Sequence, residues 1–134
     1  MAENELVDDK SIPDTDRLFR RVIISPQQLV SLEDGSRRPS SAVFKTLELS
    51  VNIESLMIEQ GRPPEDSIKG YPNTCLTSII AGDVRSYKYL IVKDNDPPND
   101  PAHGLVLGKK SDSFANKMAK KLSTWIVEPP KIIL

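Results

Sequence analysis

The sequence predicts an α+β domain: a small mixed or mostly antiparallel sheet covered by a few short helices, with an amphipathic helix near the carboxy terminus. Three observations carry this prediction. Leu47, Leu49 and Val51 alternate with Glu48 and Ser50 in the period-2 pattern of a half-buried strand. Short β-rich runs recur along the chain, at Leu18–Ile24, Cys75–Ala81 and Tyr89–Lys93. Phe114, Met118 and Leu122 recur at i, i+4 and i+8, with lysines between them, which is a helix with one apolar face.

The amino-terminal stretch from Met1 to Asp16 holds six acids against Lys10 and lacks an apolar period. It reads as a disordered, solvated acidic tail. The first strand follows, from Leu18 to Ile24, with Arg20 and Arg21 at its centre. Neighbours on a strand face opposite sides, so one of the two arginines points inward and needs a partner. Pro26–Leu32 is expected to form one helical turn, since Pro after Ser25 is a good first helical residue. A loop follows to Ser41, then a second extended run over Val43–Val51. Asn52 is expected to cap a short helix that buries Ile53, Leu56 and Met57 and ends at Gly61. Arg62–Asn73 is rich in proline and glycine and reads as irregular.

Beyond the strands at Cys75–Ala81 and Tyr89–Lys93, the segment DNDPPNDPA (94–102) is a loop, and His103–Leu107 is a short strand. Gly82–Tyr87 fits either helix or turn. Ser111 caps the amphipathic helix, and Trp125–Val127 adds an edge strand. One domain over residues 17–128 results, with a short carboxy-terminal tail at 129–134.

With 18 basic and 19 acidic residues the net charge is -1, which gives no global attraction to nucleic acid or to an anionic membrane. The local exception is Lys109–Leu122, where five lysines face Asp112 alone. That face leaves nucleic acid as a disfavoured partner rather than an excluded one. A single cysteine, Cys75, precludes an internal disulfide and fits a reducing, cytoplasmic setting. No apolar run spans a membrane, and one Cys with one His gives no basis for zinc. The carboxylates of the 94–100 loop lack the glycine and glutamate of a calcium loop. No cofactor is expected.

Four groups of residues suggest binding chemistry. His103, the only histidine, follows Asp100 at a loop-to-strand junction, where Asp100 would position it as a base or ligand contact. Arg37 and Arg38 join two guanidinium groups to the hydroxyls of Ser40 and Ser41 in one loop, suited to an anion or a partner contact. Arg20 and Arg21 form the third group. Lys109, Lys110 and Ser111 stand at a helix start, where free N–H groups and lysine charge favour a phosphate. A solvated turn and a plain Ser cap are the competing readings of the loop and of the helix start. The sharpest expectation is that His103 and the Arg38–Ser41 loop share one polar site.

Arg-Pro-Ser-Ser-x-x-Phe (Arg38–Phe44) and Asp-Pro-Ala-His-x-x-x-x-Gly (Asp100–Gly108) resemble segments of small uncharacterised bacterial proteins, in order across residues 17–127. The resemblance implies a bacterial cytosolic setting and attaches no activity. A looser likeness is to ADP-ribosyl-transfer folds, which implies that Arg20 or Arg21, with Ser40 or Ser50, would hold NAD. The catalytic glutamate of that group has no counterpart in this sequence. No motif supplies nucleophile, base and oxyanion site together. The expected function is therefore a non-catalytic binding or accessory protein that contacts a protein partner or an anionic ligand. A small enzyme acting on a nucleotide or NAD-like substrate is the alternative.

Overall fold

A computed structural model describes residues 7–130; the expected tail residues 1–6 and 131–134 lie outside them. The domain is α+β. Its strands are β1 (Arg17–Ile23), β2 (Leu29–Ser31), β3 (Arg37–Pro39), β4 (Glu48–Ile53), β5 (Thr74–Ile80), β6 (Leu90–Lys93), β7 (His103–Leu107) and β8 (Thr124–Val127). Short helices α1 (Glu54–Glu59), α2 (Ala81–Ser86) and α3 (Asp112–Lys117) connect them, with 3₁₀ turns at Ser41–Phe44 and Pro64–Ile68. Six strands form one sheet in the order β6-β7-β4-β1-β5-β8, and β2 pairs with β3 in a separate hairpin. Every pairing is antiparallel.

The register separates the two faces. Leu18 and Val22 lie on the same face as Val51, Cys75, Ile79, Ile91 and Val106, all buried. Arg20 belongs to this face and donates to the Val43 carbonyl, which places the 41–44 turn over it. Val43, Phe44, Phe114 and Met118 join the same core cluster. The opposite face carries Phe19, Arg21, Asn52 and Leu76. Arg21 and Asn52 both bond Ser67, so the 64–68 turn covers this side. Gly104 lies in β7 because a Cβ there would come within 2.5 Å of Ile53 Cδ1.

The structure corrects several expectations. Residues 8–16 are a docked strap rather than a solvated tail. Ile12 is fully buried, and the Asp8 carboxylate accepts from the Ile91 N–H and from Arg85. The Asp9 N–H donates to the Ile91 carbonyl, so the strap occupies the open edge of β6. Such cover removes the unpaired groups that an edge strand exposes. At the other terminus Pro129 is buried and the Pro130 carbonyl is held by Arg37.

Pro26–Leu32 gives a turn followed by β2, not a helical turn. The hairpin with β3 draws this segment extended, and Ser40 N–H continues the ladder to the Gln28 carbonyl. The run expected as one strand from Val43 splits, because Val43 and Phe44 turn inward in a 3₁₀ turn before β4 begins. Asn52 stays in β4 and Ile53 stands at the cap of α1 with no capping side chain; the Ser55 N–H of the first turn is taken instead by the Asp16 carboxylate at 3.1 Å. Ser111 caps α3 as expected, accepting from the Phe114 N–H. Beyond α3 the chain widens into a π turn, Met118–Leu122, closed by Ser123 N–H to the Met118 carbonyl.

Candidate functional site

The β2–β3 hairpin, the π turn and β8 enclose an open cleft of about 270 Å³. The hairpin forms because the Asp34 carboxylate accepts from the Ser36 N–H and hydroxyl while Gly35 takes φ +86. It then presents Arg37 and Arg38 on β3. The Trp125 indole N–H donates to the Arg37 carbonyl at 2.9 Å and ties the hairpin to β8. The Arg37 guanidinium donates twice to the Pro130 carbonyl, at 3.1 and 2.7 Å, and closes the cleft's carboxy-terminal side.

Arg38, Lys120, Trp125 and Glu128 complete the lining that matters chemically, with Ser36 and Ser123 supplying hydroxyls. Arg38 has a single hydrogen bond, from Nη1 to the neighbouring Pro39 carbonyl at 3.0 Å, and no ion pair among the described residues. Most of its donor fork is therefore uncommitted. Lys120 is exposed and bonds no carboxylate among the described residues. It projects from the π turn, a geometry that costs helical hydrogen bonding and recurs at functional sites.

The other expected site residues go elsewhere. Arg20 donates to the carbonyls of Val43 and Ser50, and burial beside Arg21 pushes its pKa down to about 10. Arg21 donates to the Ser67 carbonyl and stacks over Tyr71. The Ser40 hydroxyl donates to the Gln27 carbonyl, and Ser41 opens a 3₁₀ turn. Neither arginine thus faces Ser40 or Ser50 across a ligand space, as the ADP-ribosyl-transfer resemblance implied. Lys110 is almost fully buried, its ammonium donating to the carbonyls of Thr46, Leu47, Val106 and Gly108. Burial beside Arg20 pushes its pKa down to about 8, and the four acceptors make a cation tenable there. Lys109 is solvent-facing and Ser111 is committed to its cap, so no phosphate cradle forms at this loop.

The His103 imidazole is positioned by Asp94, while Asp100 meets His103 only at the backbone, its carbonyl accepting from the His103 N–H at 2.9 Å. The ring Nδ1 lies 3.1 Å from the Asp94 carboxylate and 3.0 Å from the Asp94 carbonyl. The Asp100 carboxylate instead takes the Arg62 guanidinium on both oxygens at 2.8 Å, which holds its carboxyl below the ordinary carboxylate range. Cys75 is buried, donates to the Val22 carbonyl, and has its thiol pKa raised by burial. Its strand, β5, is separated from β7 by β4 and β1, and Cys75 forms no pair with His103.

The expected shared site is not formed. His103 is on β7 and the cleft is walled by β8, with β4, β1 and β5 between them. His103 also pairs with Asn52, on the face opposite Arg20, whereas the 41–44 turn lies over Arg20, so the sheet itself stands between the histidine and the turn that Ser41 opens. Sequence reasoning missed Trp125 and Lys120 as partners of Arg38, because it assigned the first to an edge strand and the second to a solvated face. The signal that joins them is long-range, the pairing of β8 with β5 beside the hairpin.

No helix among the described residues is long and apolar enough to cross a membrane. No protein-family model, no curated protein and no solved structure matches the chain.

Proposed function

We propose that this chain is a non-catalytic binding or accessory protein that engages an acidic group, from a protein partner or a small anionic ligand, in the cleft beneath the hairpin. One observation carries the reading: Arg38 holds an unpaired guanidinium fork in a cleft that Lys120 also lines. Elsewhere Arg17, Arg62 and Arg85 are neutralised by Glu54, Asp100 and Asp8, while Arg20, Arg21 and Arg37 reach across the fold to the backbone carbonyls of Val43 and Ser50, Ser67, and Pro130. A guanidinium left without a carboxylate in a concave site is suited to take one from outside. The Ser36 hydroxyl donates to Asp34 within its own turn, where the same carboxylate also takes the Ser36 N–H; that is a turn-forming bond, which favours binding over chemistry.

Trp125 is the only tryptophan and lines the cleft, so its fluorescence reports occupancy directly. Inorganic phosphate is expected to change that fluorescence saturably. Arg38→Ala is expected to weaken phosphate binding about tenfold or more, the value of one charge-assisted hydrogen-bond set, with an unchanged far-UV spectrum. An unresponsive Trp125, or an Arg38→Ala variant that binds phosphate as the parent does, would overturn the reading.

A further inference from the structure

The cleft does not end at Lys120. The same lysine lines a second, shallow depression along the helix, together with Ser113, Lys117 and Lys121. Lys117 ends α3, and Lys120 and Lys121 follow it in the π turn, yet all three line this one depression. All three are exposed, and none pairs with a carboxylate among the described residues. Like charges gathered in one depression repel one another. The carboxylate nearest in sequence, Asp112, is already bonded to Lys45 and does not offset them.

Resting on the cleft reading above, we infer that the cleft is one end of a basic stripe running over Lys120 onto Lys117 and Lys121, and that its ligand is an extended acidic segment of a partner protein. The helix from Lys117 to Lys121 adds ~6 Å to the site, the reach of about two further residues of extended peptide. Arg38 takes a carboxylate in the cleft, and the lysines meet the acids that follow it.

A peptide fits this lining better than a nucleic acid strand does. Single strands bind through successive aromatic platforms. Among the described residues Trp125 is the only aromatic ring lining either depression, and its indole N–H is already committed to Arg37. Glu128 stands in the cleft wall. Peptide N–H groups can donate to that carboxylate, whereas a phosphodiester backbone presents only acceptors and negative charge.

The test is anisotropy of a labelled ten-residue glutamate peptide on the full chain, with phosphate titrated in parallel to report the cleft by itself. The peptide is expected to bind at least tenfold tighter than phosphate. The double variant Lys117→Ala/Lys121→Ala is expected to lose about tenfold in peptide affinity and to flatten its salt dependence. The control Lys69→Ala/Lys88→Ala removes the same charge from exposed positions off this helix and is expected to bind as the parent does. Equal losses in both double variants, or none in either, would overturn the stripe while leaving the cleft reading intact. Peptide binding that survives Arg38→Ala undiminished would overturn the cleft reading itself. A ten-residue oligothymidylate that binds as tightly as the peptide would overturn the choice of partner.

Discussion

Lys110 and Arg38 are two cations put to opposite uses. The Lys110 ammonium is spent on backbone, bridging the carbonyls of Thr46 and Leu47, before β4, to those of Val106 and Gly108 at the end of β7. Replacing it with methionine keeps much of the volume but strands acceptors in a buried site. Lys110→Met is therefore expected to cost roughly 2–4 kcal/mol, whereas Lys109→Ala, on the exposed neighbour, should stay within about 0.5 kcal/mol. Urea denaturation of the two variants checks this, and equal costs would mean that the carbonyl cage contributes nothing. The sequence Gly108-Lys109-Lys110-Ser111 could not reveal this difference. Two adjacent lysines look alike in one dimension, and only the backbone of β4 and β7 decides which of them turns inward. Arg38 was singled out in the sequence as a candidate anion contact, and the structure places it in β3 on the cleft wall. Its companions were not legible, since Lys120 and Trp125 lie more than eighty residues further along the chain.

At the scale of elements, strands with a regular period were read well and terminal segments poorly. The alternation of Leu49 and Val51 with Ser50 locates the centre of β4, and the Phe114–Met118–Leu122 spacing covers α3 together with the π turn that continues it. Val43 and Phe44 looked like more of the same strand, because a 3₁₀ turn that buries two adjacent apolar residues has the composition of a strand. The strap at 8–16 was read as a tail because its charge is nearly all acidic. Those acids are matched by a residue far along the chain: the Arg85 guanidinium takes Asp8 and Asp14 and also donates to the Asp9 carbonyl. Ile12, a lone apolar residue with no periodic neighbours, is the anchor. Ile12→Ala is expected to destabilise the domain by about 2–4 kcal/mol, while Val7→Ala, at an exposed position, leaves it within about 0.5 kcal/mol. Thermal unfolding of the pair distinguishes a docked strap from a passive one, which would tolerate both changes equally.

Over the whole molecule, the sheet order decides which residues can act together. The α+β class was legible because it follows from the kinds of element present. The order β6-β7-β4-β1-β5-β8 was not, since it depends on which strands pair across long loops. That order separates His103 from Arg38, binds His103 to Asp94, and brings Trp125 at the far edge against the hairpin. The fold thereby brings Arg38, Lys117, Lys120 and Lys121, none of them paired with a carboxylate among the described residues, to two depressions that share Lys120, on a chain whose net charge is -1. The most direct test of this account is a two-dimensional NMR titration of the full chain with the ten-residue glutamate peptide, following backbone amides and the indole N–H of Trp125. The account predicts saturable shifts concentrated at Ser36, Arg37, Arg38, Lys120, Ser123 and Trp125, with His103 and the 109–111 loop unmoved. Shifts centred on His103 or on Lys109–Ser111, with the Trp125 indole signal unchanged, would contradict it.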